Sequence, residues 1–204
     1  GWLSAKSNTQ AKTELKTTVI DKEKMDKNPL LINDLIANRL YIMEKDGNIL
    51  YEWNLAKQLL WNDSFLLPDG RSLISLKSSV PRILLWGYGG ITALMGTGWE
   101  LLWKYEISSS GTIAHHDALL LPNGNILTMV WHKIEKKDVK KYGYTLDVDI
   151  YPERIVEIDP KKNTIVWRWD SMDHIIQNTD PKAANYGDIA KRPEKININH
   201  IQSQ

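Results

Sequence analysis

Trp61-Asn62-Asp63-Ser64-Phe65-Leu66-Leu67-Pro68-Asp69-Gly70-Arg71-Ser72-Leu73 and His115-His116-Asp117-Ala118-Leu119-Leu120-Leu121-Pro122-Asn123-Gly124-Asn125-Ile126-Leu127 align without a gap, Trp61 opposite His115 and Leu73 opposite Leu127. Each copy is an apolar run, a Leu-Pro-Asp/Asn-Gly turn and a second apolar run. Asp-Gly and Asn-Gly between β-rich runs mark hairpins, because the glycine takes the positive φ that the turn requires. The stretch therefore decides for a repeated strand–turn–strand scaffold. The histidine pair stands in only one copy, opposite Trp61-Asn62, and so marks a site and not the scaffold.

Working outward, a hairpin precedes each copy. Leu40 to Met43, the turn Asp46-Gly47-Asn48 and Ile49 to Trp53 make the first, and Ile91 to Leu94, Gly96 to Gly98 and Glu100 to Tyr105 the second. A third follows at Arg154 to Asp159 and Thr164 to Trp169. Trp53, Trp103 and Trp167 recur on the second strand of each of these hairpins. Four strands in about 40 residues is the length of one propeller blade. The expectation is an all-β chain of β-propeller-type repeats, with blade-like units over 38–80, 91–132 and an incomplete 154–204, about two and a half blades in 29–204. Residues 1–28 read as a polar lead-in or linker, partly disordered. The segment after Asp170 reads as irregular, with a short helix around His174 to Gln177.

Composition narrows the function classes. A net charge of +1 gives no electrostatic reason to expect nucleic acid. The absence of cysteine removes disulfides, thiolate catalysis and Cys-based metal sites. No apolar run reaches the length of a membrane span, about 18 residues. Nine Trp and eight Tyr against one Phe suit repeat interfaces and aryl- or sugar-binding surfaces, since each joins a flat apolar body to a polar tip.

Among the candidate site residues, His115, His116 and Asp117 come first. Adjacent strand residues point to opposite faces, so only one of the two histidines should face a central channel. His116 is the expected one, with His115 turned toward the sheet or a loop. An imidazole there serves as nucleophile or general acid/base near pH 7; equally, the pair serves as a strand cap bonded to a loop. His132, beside Lys133, Glu135, Lys136 and Lys137, reads as solvated surface. His174, in Trp169-Asp170-Ser171-Met172-Asp173-His174, is a loop-packing or substrate-gate residue, and His200 carries little weight. No histidine spacing suggests a zinc site. Gly87-Tyr88-Gly89-Gly90 lacks the following helix of a phosphate loop. Arg168 is expected on the solvent side of its strand.

The ordered set His115-His116-Asp117, Leu121-Pro122-Asn123-Gly124-Asn125-Ile126-Leu127, Arg154 to Pro160, Ile165-Val166-Trp167-Arg168-Trp169, Asp173-His174-Ile175-Ile176-Gln177 and the tail Asp180-Pro181, Asn185-Tyr186-Gly187-Asp188, Arg192-Pro193-Glu194 and Ile196 to Asn199 resembles the bacterial aryl-sulfate sulfotransferase family over roughly Leu40 to Asn199. The resemblance implies a fragment of a six-bladed propeller with a channel active site. It implies sulfuryl transfer from an aryl sulfate donor to a phenolic acceptor through a sulfated histidine, with no cofactor. His116, His115 and Asp117 would be catalytic, and His174 and Trp169 would bind substrate. The family's Trp-x-His-x-Asn-Ser motif, arginine and nucleophilic histidine would lie beyond Gln204, so this stretch alone would be inactive. An extracytoplasmic location follows from the same resemblance, and a homodimer is compatible with it. The competing classes are a non-catalytic Trp-rich propeller that binds a partner and a quinone-dependent dehydrogenase-like propeller, whose cofactor and calcium ligands are not found here.

Overall fold

The computed structural model describes residues 21, 23–55, 58–144 and 147–199, apart from the side chain of Asn62, and the chain there is built mainly of antiparallel sheets. Most of the lead-in and His200 lie outside the described residues. Strands β1 (Leu30–Asp34), β2 (Arg39–Met43) and β3 (Ile49–Trp53) form a three-stranded meander. Strands β4 (Leu60–Leu66), β5 (Ser72–Lys77), β6 (Gly90–Met95) and β7 (Leu101–Glu106) form a four-stranded one. Strands β8 (Thr112–Leu120), β9 (Ile126–His132), β10 (Glu153–Asp159) and β11 (Thr164–Asp170) form a second four-stranded one.

The two aligned copies are the β4–β5 and β8–β9 hairpins, and they share their turn bond for bond. Leu67 N donates to Arg71 O at 2.8 Å and Gly70 N to Leu67 O at 2.9 Å; Leu121 N donates to Asn125 O at 2.8 Å and Gly124 N to Leu121 O at 2.9 Å. Gly70 and Gly124 hold φ of 84° and 86°, the left-handed conformation that only glycine enters without strain.

The grouping of hairpins differs from the expected units. β5 pairs with β6 through six residue pairs, Ser72↔Met95 to Lys77↔Gly90. The hairpins at 60–77 and 90–106 therefore share one sheet, and those at 112–132 and 153–170 share the next. The units 38–80, 91–132 and 154–204 are thus one hairpin out of phase, and Glu153–Asp170 completes a sheet instead of opening one. A periodic sequence defines a period but no origin, and loop length misleads about the origin. The short linkers 54–59 and 107–111 run between sheets, whereas 78–89 and 133–152 stay within one. At about 3.3–3.6 Å per residue, five or six residues reach about 17–21 Å. That covers the two strand spacings of the first sheet or the three of the second, about 10 or 14 Å, from the last strand back to the level of the first. Trp53, Trp103 and Trp167 accordingly all lie on the last strand of their sheets, β3, β7 and β11.

The core lies between the sheets. Leu40 and Trp53 of the first meet Leu60, Ile74, Leu76, Ala93 and Met95 of the second. Leu73 and Leu94 of the second meet Ile126 of the third. First strands are neighbours, β1 touching β4 and β4 touching β8. After β11 comes one helical turn, Ser171–His174, where a helix at His174 to Gln177 is expected; Ile175–Ile176 instead pairs in parallel with Ile196–Asn197. Met172, Ala184, Ile134 and Val139 bury a small satellite core there. None of the helices among the described residues is long and apolar enough to cross a membrane.

Candidate active site

A bulge, and not pleat alternation, separates the two histidines. His115 pairs with Met129 and Ala118 with Thr128, so three steps along β8 answer one along β9. β4 carries the same shift, Leu60↔Leu76 followed by Ser64↔Ile74. Such bulges re-aim side chains at sheet edges and sites. His116 takes φ 47°, a left-handed backbone that costs a non-glycine residue about 1–2 kcal/mol. Thr128 pins the bulge by donating from Oγ1 to the carbonyl of Asp117 at 3.1 Å.

Within the bulge the imidazoles meet instead of diverging. His115 Nδ1 lies 2.7 Å from His116 Nδ1, with the rings 87° apart. His115 is 2% exposed and lies flat on Trp131, centroids 3.9 Å apart at 12°. Its Nε2 is 2.8 Å from Glu153 Oε2, and Trp131 Nε1 donates to Glu153 Oε1 at 3.0 Å. Trp131 and Glu153 are register partners on β9 and β10, which fixes the carboxylate opposite the indole. His116 and Asp117 are exposed.

The first copy has the frame without this chemistry. Trp61 occupies the place of His115 and Lys77 that of Trp131, with the ammonium 4.4 Å from the indole centroid. Lys77 pairs with Gly90, so no carboxylate stands where Glu153 does. A loop from the second sheet runs beside the site: Gly89 N donates to Ala114 O at 3.0 Å, and Tyr88 bridges to His115. The ring of His116 rests on Gly87, where a Cβ would lie 2.4 Å from His116 Cε1. Any other residue at 87 would displace that imidazole.

The bulges also bring together their equivalent aspartates. Asp63 is pushed up to about 6, first by its hydrogen bond with Asp117, then by burial and by the Asp117 charge. The folded state holds this proton more tightly than the unfolded chain, so the contribution to stability is complete below about pH 4 and is lost as pH rises through about 6. Asp63→Asn removes the repulsion and should raise the thermal midpoint at pH 7–8. The shift is worth about 3 kcal/mol at most, and solvent screening reduces it to about 1 kcal/mol, or about 2–4 °C. Thermal scans at pH 4 and pH 8 check it; a variant whose advantage is the same at both would contradict the assignment.

Trp169 and His174 stack on one another, centroids 4.8 Å apart at 11°. Trp169 lies in the same row as His115, by way of Met129 and Ile155, but three strands away, about 14 Å. The sequence-based substrate-binding pair thus stands together, at the far strand from the histidine pair. His132 is half-buried, not solvated surface; burial and then the Arg154 charge push its pKa down. Arg168 is exposed, 3.6 Å from Asp170, whose other oxygen binds Arg154. An apolar cavity of about 520 Å³, walled by Phe65, Leu66, Leu119, Leu127 and Met129, opens beside Asp117. Among the described residues no group of three or more His, Cys, Asp or Glu is placed to hold a metal ion.

The sequence marks no site role for Glu153 or Trp131, and Gly87 stands in it only as part of a glycine-rich loop unlike a phosphate loop. Glu153 is one acidic residue among many, 38 positions from its partner. Extending the gap-free alignment would have shown the exchange of Lys77 for Trp131.

Residues 16–203 match the arylsulfotransferase (ASST) family, and the chain belongs to it. A crystal structure of a protein of unknown function from Bacteroides caccae is similar at 18% identity with a TM-score of 0.43, over 71% of this chain. The chain spans 41% of the length of that protein. No curated protein matches the chain.

Proposed function

We propose that the chain is part of an enzyme that moves a sulfuryl group from an aryl sulfate to a phenol, outside the cytoplasm and without a cofactor. Its sheets are successive blades of a six-bladed propeller with β1, β4 and β8 innermost. Contacts between those first strands, from sheets that each meander away from them, support the arrangement. His116 then faces the channel.

The observation that carries the reading is the exposed His116, backed by His115 and Glu153, in a chain of the arylsulfotransferase family. The sulfuryl group is carried in between by a further histidine beyond Gln204, where the resemblance puts the nucleophile. In the first half-reaction its nitrogen forms the S–N bond as the aryl S–O bond breaks, and His116 Nε2 gives its proton to the leaving phenolate. In the second, His116 Nε2 takes the proton of the acceptor phenol as that oxygen attacks sulfur and the S–N bond breaks. Splitting one transfer into two displacements is the ordinary gain of covalent catalysis, and a placed imidazole contributes about 10²–10⁴-fold.

The test is an assay of the full-length protein with a chromogenic aryl sulfate and a phenol, without adenosine-phosphosulfate. The expected result is aryl release that depends on the phenol, with the sulfated phenol found by mass spectrometry. No release, or release as inorganic sulfate regardless of acceptor, overturns the reading.

A further inference from the structure

We infer that Glu153 and Trp131 are positioning residues that hold the histidine pair in one tautomeric order, so that His116 Nε2 is the single atom at which the pair gains or loses a proton. The inference rests on the sulfuryl-transfer reading only for what that proton does.

The order follows from counting donors. An ionised carboxylate only accepts, and an indole N–H only donates. Glu153 Oε1 is taken by Trp131 Nε1–H, so Oε2 must receive its proton from His115 Nε2. In the neutral pair His115 Nδ1 is then a lone pair, and the 2.7 Å contact needs His116 to supply the Nδ1–H. That leaves His116 Nε2 bare. Adding one proton to the pair fills that position and no other, because His115 Nε2 and the Nδ1–Nδ1 contact already hold theirs. General base and general acid are therefore the same atom in two states, as a transfer in two half-reactions requires.

Two further observations fit a positioning role. His115 is buried and stacked flat on Trp131, which holds its ring with Nε2 toward Glu153 and Nδ1 toward His116. The first copy, with Trp61, Lys77 and Gly90 at the corresponding places, keeps the frame and has no acceptor. The group of three is thus not a requirement of the hairpin.

Glu153→Gln is the informative change, nearly isosteric yet reversing the order. The indole still needs an acceptor and takes the amide oxygen, which turns the amide NH2 toward His115 Nε2. His115 must then accept there, donate from Nδ1, and leave His116 protonated at Nε2 in the neutral pair. A carboxylate that holds an imidazole in one tautomer, and an amide that holds it in the other, is the same logic as in a catalytic triad.

The experiment is long-range 1H–15N correlation on the full-length protein with ring-15N histidine, at about pH 9, where an ordinary imidazole is neutral. His115→Gln and His116→Gln spectra assign the signals. In the wild type, His116 is expected to be Nδ1-protonated and His115 Nε2-protonated. Glu153→Gln should exchange both and lower kcat by about 10²-fold with KM nearly unchanged. Adding Trp131→Phe frees the amide to turn its oxygen to His115 and should restore the wild-type order and part of the rate. A wild-type His116 protonated at Nε2, or a Glu153→Gln protein with unchanged tautomers, overturns the inference. Full-length protein with the expected tautomers but no transfer would instead overturn the functional reading and leave this one standing.

Discussion

Replacing His116 by alanine in the full-length protein should lower phenol-dependent sulfuryl transfer by about 10²–10³-fold while leaving the fold intact. Among the described residues the ring bonds to His115, meets Trp131 edge-on and rests on Gly87. Removing it leaves His115 on Trp131 and Glu153, so the buried part of the cluster survives. His116→Gly is the control for the backbone. Glycine accepts the φ of 47° without strain, so this variant should be as inactive as the alanine variant and at least as stable. His115→Ala differs in kind, because it empties a buried stack and orphans Glu153 Oε2, and should lose stability and rate together. Steady-state rates beside thermal midpoints separate the three. A His116→Ala protein with near wild-type turnover would remove His116 from the mechanism.

The largest effect on stability is expected at Ile74→Ala, about 2–5 kcal/mol. Ile74 is 0% exposed and stands where the first and second sheets meet, among Leu40, Leu60, Ala93 and Met95. Strands from both sheets hold its neighbours in place, so the cavity cannot close by local collapse. Against a total stability of about 5–15 kcal/mol, the midpoint should fall by about 2–4 °C for each kcal/mol. Leu50→Ala is the counterpart on the surface, at 51% exposure, and should stay within about 0.5 kcal/mol of wild type. Urea titration of both tests the location of the core; equal losses would mean that the sheets do not pack as described.

Strand type, turn type and the repeat were legible because they are local. Period-two apolar runs and the Asn-Gly or Asp-Gly turn are short-range chemistry, and the turns at Gly70 and Gly124 carry the same bonds. The likeness of the copies extends to the bulge, which no composition rule announces. The phase of the repeat was not legible. Whether β5 pairs forward with β6 or stands alone depends on backbone bonds across the intervening 78–89 loop. The half-burial of His132 is hidden for a related reason: charges adjacent in sequence suggest water, whereas Arg154 and Met172, which arrive later in the chain, line one small cavity with it.

The sequence by itself determined that the chain is all-β, that a strand–turn–strand unit repeats without a gap, and that one copy alone carries two histidines. It also carried the family, since the ordered motif set survives wherever the strands go. Only the tertiary structure decided which hairpins share a sheet and which side chains meet the histidines. Glu153 reaches His115 from two strands away, and Asp63 reaches Asp117 from the neighbouring sheet. Both partnerships depend on sheet register and on the packing of one sheet against the next, and the slip in register at the bulge is enough to make the imidazoles touch. Local propensity contains neither quantity, because each is settled by apolar surface buried between segments far apart in the chain.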